Sequence, residues 1–234
     1  MEFYYNSRKI EYTIKYSKRK TIAIHIEPSN NIIVKAPIGM DRNRLKELVE
    51  SKGKWISNKL EESNDYKIQE RTYKNGELFL FLGKEYPLEL MIDETASVMS
   101  VEIINNSLRI ITNTEDKDSI KNLLEEFYKK QTRIIIQDRI KYYQNYFIVR
   151  PNNIRIKKQK TRWGSCSSLK NLNFNLKLSM AKLSVIDYIV VHEMSHLIHL
   201  NHSKDFWNLV KSVLPNYKDE KDWLKHNGRR LTLD

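Results

Sequence analysis

The chain has 234 residues, enough to build one or two domains with a hydrophobic core, and a net charge of +12. Its hydrophobic fraction is 40%, and no apolar run approaches the roughly 20 residues that a membrane-spanning helix needs. The N-terminus lacks the apolar core of a signal peptide, and the single cysteine, Cys166, excludes an internal disulfide. We therefore expect a cytoplasmic protein.

The first third of the chain alternates apolar and polar residues, which is the pattern of half-buried strands. Strands are predicted at residues 10–16 and 22–26, and a third begins at residue 32 and stops at Pro37. Asp41 then has the position of a helix N-cap. The helix after it is predicted to run to about residue 62, with Trp55 on its apolar face.

A second group of strands follows, predicted as hairpins over residues 78–92 and 98–112. A long helix is then predicted from about Asp116 to Tyr146. Strands followed by a helix thus occur twice, about 75 residues apart, which indicates a diverged internal repeat. We place a domain boundary after residue 115, so that residues 1–115 form a β-rich N-terminal region with one helix. The fold class predicted from these elements is α+β.

The positive charge is concentrated in residues 139–186, a stretch without Asp or Glu. Its basic residues are Arg139, Lys141, Arg150, Arg155, Lys157, Lys158, Lys160, Arg162, Lys170, Lys177 and Lys182. A concentrated positive field beside a cleft attracts anionic ligands. This favours phosphate groups or nucleic acid as partners, although a solvated face kept for solubility explains the same pattern.

Within the basic stretch, a strand is predicted to begin at Ile154 and to continue toward residues 163–165, paired with an alternating strand over residues 172–178. An edge strand beside a catalytic helix can hold an extended peptide through backbone hydrogen bonds. We therefore expect a substrate-binding segment here, in which Gly164 permits a close approach and Arg162 binds a carboxylate or phosphate. The residues predicted to bind substrate are Arg162, Trp163, Gly164 and Ser165.

The most informative motif is H-E-x-x-H at residues 192–196. Residues four apart lie on one face of an α-helix, so His192 and His196 can bind one metal ion. Glu193 can then act as a general base on a water at that metal. The preceding apolar run predicts a buried helix, with Ser184 as N-cap and Asp187 completing a capping box.

A catalytic zinc site has three protein ligands and one open position. His202 is favoured as the third ligand because it follows a turn after the helix, whereas His199 would have to converge from the same helix. Ser203 is predicted to cap a further helix that ends before Pro215. The less favoured ligands are His199, Asp205, Asp219, Glu220 and, as a fourth and inhibitory ligand, Cys166, for which a buried thiol is the alternative role. Tyr217 and the arginines at residues 229–230 are candidates for stabilising an oxyanion.

Several of these segments together resemble one known family, the YgjP-like metallopeptidases. The resembling segments are residues 161–167, 173–175, 186–188, 192–197, 201–203 and 206–207, with a looser likeness at residues 17–20 and Trp55. The resemblance implies a zincin-like catalytic domain over residues 116–234, with its H-E-x-x-H helix beside a mixed or antiparallel sheet, and a relation to SprT-like zinc proteases. It also implies His192, His196 and His202 as metal ligands and Glu193 as general base.

The sequence therefore predicts a zinc-dependent hydrolase, with peptide hydrolysis as the leading reaction and a peptide or protein as substrate. The main alternative is hydrolysis of a nucleoside triphosphate phosphoanhydride, an activity also attributed to members of the family that the chain resembles. A nucleic-acid-associated protein with structural zinc is the third hypothesis. It fits less well because structural sites are closed by four ligands and are usually rich in cysteine.

Overall fold

The computed structural model describes residues 1–27, 30–64, 71–95 and 97–234. The chain folds into two compact units, Met1–Gln69 and Glu70–Asp234. This division differs from the predicted boundary after residue 115, because the strands at residues 78–112 share one core with the helices that follow them. Within the described residues, no helix combines the length and the apolar character needed to cross a membrane.

The first unit packs helices against one mixed sheet. Its elements are β1 (Glu2–Tyr5), β2 (Arg8–Ser17), β3 (Ala23–Ile26), β4 (Ile32–Pro37), α1 (Arg42–Glu50) and α2 (Gly53–Asn64). The strand order is β1-β2-β4-β3, with β2 parallel to β4 and the other pairs antiparallel. Alternate residues of β2 and β4, among them Ile10 and Val34, are buried against Leu45 and Ile56 of the helices.

Two details of this unit differ from the prediction. Asp41 does cap the helix, since its side chain accepts a hydrogen bond from the Arg44 amide at 2.9 Å. The single predicted helix, however, is divided after Glu50, and α2 begins at Gly53. A Cβ at Gly53 would lie 2.6 Å from Cδ2 of Tyr5, so glycine allows the close approach of β1. Trp55 was predicted in the core but is 44% exposed.

The second unit begins with a sheet of the same design. Its strands are β5 (Leu78–Phe81), β6 (Lys84–Ile92), β7 (Ser100–Ile104) and β8 (Ser107–Thr112), in the order β5-β6-β8-β7. Here too one hairpin runs antiparallel at each side and the middle pair is parallel. Tyr12 lies opposite Ile32 in the first sheet and Leu88 opposite Leu108 in the second, so both parallel pairs join residues 20 apart. The predicted internal repeat is therefore present in topology and register.

The remaining elements of the second unit build the part of the fold that carries the H-E-x-x-H motif. They are α3 (Lys117–Tyr143), β9 (Asn153–Lys157), β10 (Gly164–Cys166), β11 (Asn171–Asn175), α4 (Leu183–Ser195), α5 (Lys204–Val213) and α6 (Tyr217–Asn227). The sheet order is β10-β11-β9, with β11 antiparallel to β10 and parallel to β9. The predicted strand over 172–178 ends at Asn175, where a 3-10 helix (Leu176–Met180) begins. The fold is α+β, as predicted.

The long helix α3 joins the two sheets of this unit. Its buried stripe includes Leu124, Tyr128 and Ile136, spaced as one face of a helix. The Tyr128 hydroxyl donates to the Leu80 carbonyl at 2.8 Å, and the Thr132 hydroxyl donates to the Leu176 carbonyl at 2.6 Å. The first sheet of the unit and the segment that precedes α4 are thus fixed to the same helix.

Candidate metal centre

Helix α4 carries the H-E-x-x-H motif through the centre of the second unit. Its residues between Val185 and Ser195 are mostly buried, which follows from the uninterrupted apolar run before the motif. The helix does not begin as predicted: Lys182 occupies the N-cap position, and no side chain caps the helix there. Asp187 instead accepts two hydrogen bonds from Arg139 of α3, at 2.6 and 3.1 Å. The Asp187 carboxylate is partly buried and is paired with a bidentate arginine, a strong interaction, so the predicted capping box is wrong.

The structure brings His192, His196 and His202 together. One ring nitrogen from each histidine lies within 4.8 Å of the other two, and the Nε2 atoms of His192 and His202 are 3.1 Å apart. His192 lies in the last turn of α4, His196 is the C-cap residue that follows it, and His202 comes from the loop that leads into α5. Ser203 caps α5 by accepting from the Phe206 amide at 3.3 Å, as predicted, and so fixes the end of that loop.

Neighbouring groups orient two of the three imidazoles. Nδ1 of His196 donates to the His199 carbonyl at 2.9 Å, which leaves the Nε2 lone pair free for a metal. The ring of His202 stacks on Trp207 at 5.6 Å with an interplanar angle of 23°. His199 thus contributes its backbone, and its side chain is not part of the histidine cluster in the described chain.

The other predicted ligands also lie outside the histidine cluster. Glu220 forms an ion pair with Lys182 at 2.8 Å. The Cys166 thiol donates to the Ser167 carbonyl at 3.5 Å, and burial raises its pKa, in keeping with a packed thiol rather than a fourth ligand. Tyr217 is 9% exposed and stacks between Trp207 and Tyr188.

Glu193 lies beside the histidine cluster, and Gly164 of β10 makes room for it. A Cβ at Gly164 would lie 2.5 Å from Oε1 of Glu193, closer than any real contact. The sequence predicted that this glycine admits substrate, whereas in the structure its bare Cα faces the carboxylate. Oε2 of Glu193 is buried and has no hydrogen-bond partner among the described residues.

Burial dominates the electrostatics of these groups. It raises the pKa of Glu193 to about 8, an effect that the charge of Arg162 partly offsets. It also lowers the pKa of His192 to about 3, assisted by the charges of His196 and His202. A neutral imidazole is the form that binds a metal, and a buried, unpaired carboxylate is suited to accepting a proton. The donor set and the unpaired Oε2 atom therefore fit a bound zinc ion with a water beside Glu193.

A cavity of about 340 Å³ opens next to Glu193 and His192. Three of the four residues predicted to bind substrate, Arg162, Trp163 and Gly164, line it. Ser165 points to the opposite face of the strand, where its hydroxyl accepts from the Asn173 side chain at 3.3 Å. Ser165 and Gly164 point to opposite faces because side chains alternate along a strand.

Sequence reasoning missed several residues of this region. Asn175 is buried, and its amide nitrogen donates to the Gln159 and Arg162 carbonyls, both at 2.9 Å. It therefore holds the loop that carries Arg162 and Trp163. Lys221 and Lys225 of α6 line the cavity. Their spacing of four residues was the available signal, but nothing in the sequence placed α6 beside α4.

Tertiary contacts neutralise part of the basic stretch 139–186. Arg139 pairs with Asp187, Lys158 with Glu125, Lys182 with Glu220, and Lys177 lies 3.8 Å from Asp234. Each of these acidic partners lies outside the stretch, so a run that looks unbalanced in the sequence is partly balanced in the fold.

An α+β unit with H-E-x-x-H on a buried helix and a third histidine just beyond it has the arrangement of the metallopeptidase class. The comparison with protein families agrees: the YgjP-like metallopeptidase domain matches residues 20–227, and the chain belongs to this family. Among solved structures, the chain is similar to the metallopeptidase zymogen abylysin of Pyrococcus abyssi, with 21% identity and a TM-score of 0.36. That similarity covers 38% of this chain and 90% of abylysin. No curated protein matches the sequence.

Proposed function

We propose that the protein is a zinc-dependent peptidase in which Glu193 is the general base. The observation that carries this proposal is the position of the Glu193 carboxylate, buried and unpaired beside the histidine cluster and seated against Gly164. His192, His196 and His202 would hold the zinc. A structural zinc site fits less well, because three histidines leave a position open and an acid stands next to it.

The chemistry divides between the metal and the chain. A zinc ion bound by the three imidazoles would supply the Lewis acidity that lowers the pKa of a water toward about 7 and polarises a carbonyl. Glu193 accepts the proton of the attacking water at Oε2 and passes it to the departing amine. Burial supports this role because it raises the affinity of Glu193 for a proton.

Substrate binding is proposed at the free edge of β10. This strand ends the sheet order β10-β11-β9, and its other edge has no strand partner within the described residues. An extended peptide can pair with that edge and bring its scissile carbonyl to the histidines. Arg162, Trp163 and Gly164 line the adjoining cavity, and Ser165 contributes its backbone.

The test is a pair of turnover assays on zinc-loaded protein, with Glu193→Gln as the matched control. One assay follows peptide-bond cleavage in an unfolded protein, and the other follows phosphate release from nucleoside triphosphates. We expect peptide cleavage by the wild type and a loss of roughly 10²- to 10⁴-fold in Glu193→Gln, the usual contribution of a general base. Both proteins should bind one equivalent of zinc. Cleavage that survives in Glu193→Gln contradicts the assigned base.

Phosphoanhydride hydrolysis is the second candidate, and one observation favours it. Arg162, Lys221 and Lys225 all line the cavity beside Glu193, and cations of this kind bind phosphates. Phosphate release that disappears in Glu193→Gln, without any peptide cleavage, would establish this reaction in place of the peptidase.

The surface of the sheet β10-β11-β9 that faces away from α4 supports a separate proposal, contact with nucleic acid. Arg155 and Lys157 are exposed on β9, and Asn173 lies opposite Arg155 on β11. Amide and cationic side chains on one open face suit a phosphate backbone. We expect Arg155→Gln/Lys157→Gln to weaken binding to duplex DNA and to flatten its dependence on salt, measured by fluorescence anisotropy. Wild-type protein that shows no salt-dependent affinity would contradict this proposal.

A further inference from the structure

The cavity beside Glu193 has three chemically distinct parts. Its walls are apolar and consist of Trp163, Tyr188, Ile189 and Leu224. Tyr188, Ile189 and Leu224 are each less than 9% exposed. His192 and Glu193 form the catalytic side. The third part is the mouth of the cavity. A ligand that fills the cavity therefore needs apolar surface between its reacting bond and the end that lies at the mouth.

The mouth of the cavity is cationic. Its charged residues are Arg162, Lys221 and Lys225, all of them exposed. Within the described chain none of the three forms an ion pair; the Lys221 ammonium lies 4.5 Å from the centre of the Trp207 ring. Glu193 is the one acid that lines the cavity among the described residues.

The two lysines are set toward the cavity by the periodicity of α6. Lys221 and Lys225 are four residues apart and flank Leu224, which packs into the core. Glu220 of the same helix is drawn to Lys182 at 2.8 Å and does not neutralise them. Arg162 faces them from the loop that Asn175 holds through the Arg162 carbonyl. The three cations are thus supplied by two separately anchored elements.

We propose, on the basis of the peptidase function above, that this cavity selects peptides by a carboxylate carried next to the scissile bond. The apolar walls accept a short aliphatic stem, and the cationic mouth pairs with its negative end. A glutamate or aspartate side chain has this chemistry, and so does the terminal carboxylate of a chain whose last residue fills the cavity. A triphosphate suits it less well, since its charges would lie along apolar walls and against Glu193.

The size of the expected preference depends on the solvent exposure of the three cationic side chains. Solvated ion pairs are individually weak, so three cations acting together should give a preference of roughly tenfold in kcat/KM. The preference should shrink as salt concentration rises, because exposed charges are screened.

The experiment uses zinc-loaded full-length protein and fluorogenic peptides that differ at one position. Glu and Gln, and likewise Asp and Asn, are compared at each position flanking the cleaved bond, in peptides with a free or an amidated C-terminus. The variant is Lys221→Gln/Lys225→Gln. Its control, Lys211→Gln/Lys218→Gln, loses the same charge from exposed lysines that do not line the cavity.

We expect the wild type and the control to favour the carboxylate peptides roughly tenfold, and the Lys221→Gln/Lys225→Gln variant to lose most of this preference. If amidated peptides with Glu or Asp are still preferred over those with Gln or Asn, the recognised carboxylate belongs to a side chain. If the preference is seen only in peptides with a free C-terminus, the recognised group is the terminal carboxylate.

Two results would overturn the inference and leave the peptidase proposal intact. The first is that the wild type cleaves the Glu and Gln peptides, and the Asp and Asn peptides, equally well, and that this cleavage is lost in Glu193→Gln. The second is a preference that persists in Lys221→Gln/Lys225→Gln. If no peptide is cleaved at all, the peptidase proposal fails, and this inference fails with it.

Discussion

Glu193 depends on a glycine in a neighbouring strand for its position. The Cα of Gly164 faces the carboxylate, and any side chain at residue 164 would occupy the space that Glu193 fills. The pair joins β10 to α4, so the proposed substrate-binding edge and the proposed general base are held close together. A single residue without a side chain thus links two functions of the proposed active site.

The first prediction concerns Gly164→Ala. The added Cβ would displace the Glu193 side chain, whose end is flexible, so the fold should survive while kcat falls at least tenfold, part of the roughly 10²- to 10⁴-fold effect of a general base. Peptide turnover, the unfolding midpoint Tm and zinc content measure these effects. Gly164→Ala/Glu193→Gln should be no slower than Glu193→Gln alone, because both changes act through one carboxylate. Additive losses would show that Gly164 acts independently of Glu193.

The second prediction separates two histidines that lie three residues apart. His202→Ala removes a ring nitrogen from the histidine cluster, so zinc affinity should fall by at least tenfold. His199→Ala keeps the backbone carbonyl that His196 contacts, so zinc affinity should change little. Competition with a chelator of known affinity measures both variants. The opposite ranking would make His199 the third ligand.

At the scale of elements, the active-site region is assembled from pieces that are distant in the chain. Asn175 ends β11, yet its side chain fixes the loop that precedes β10 through the Gln159 and Arg162 carbonyls. It also accepts from the Lys177 amide at 3.1 Å. One buried amide therefore shapes the start of the 3-10 helix and the wall of the cavity together.

The third prediction tests this role of Asn175. Asn175→Ala leaves polar backbone groups unpaired, at a cost of about 1–3 kcal/mol for a buried group, and loosens the loop around Arg162. We expect a lower Tm and a fall in kcat/KM for peptides, with zinc affinity unchanged. Asn152→Ala is the control, since it removes an amide–carbonyl bond of 2.8 Å from an exposed turn. Equal kcat/KM for the two variants would count against Asn175 as a positioning residue.

At the scale of the whole molecule, the sheet β5-β6-β8-β7 supports the segment that precedes α4, a contact that the sequence did not reveal. The turn between β5 and β6 reaches the segment before α4, where the Leu82 amide donates to the Ser179 carbonyl at 2.7 Å and the Gly83 amide donates to Met180 at 3.1 Å. Phe79, Leu88 and Ile110 belong to the same core as α4. The start of α4 is therefore supported by strands that precede it by about 100 residues.

The fourth prediction follows from this support. A fragment of residues 70–234 should unfold cooperatively and bind zinc, whereas a fragment of residues 116–234 should not fold. The shorter fragment lacks Phe79, Leu88, Leu108 and Ile110, which are all at most 2% exposed. Removing even one large core side chain costs about 2–5 kcal/mol, against a total stability of about 5–15 kcal/mol. Circular dichroism on heating and zinc titration measure both properties. Cooperative unfolding of the shorter fragment would contradict this assignment.

The sequence by itself determined the features that depend on short-range spacing. The i, i+4 placement of His192 and His196, the cap at Ser203 and the alternation of the strands in the first two sheets are local patterns, and the structure has them where they were predicted. The strand predicted from Ile154 to residues 163–165 was wrong, since β9 ends at Lys157 and β10 is a separate strand. Local geometry decides such features because a helix or strand fixes the direction of each side chain.

Only the tertiary structure decided which elements meet. Asp187 pairs with Arg139 of α3 instead of capping a helix, and Gly164 makes room for Glu193, where the sequence predicted room for substrate. Lys221 reaches the cavity from α6. The second unit also extends further toward the N-terminus than the predicted boundary, since Tyr73 and Phe79 share its core. These outcomes depend on packing between distant segments, where burial and pairing outweigh the local preferences that a sequence displays.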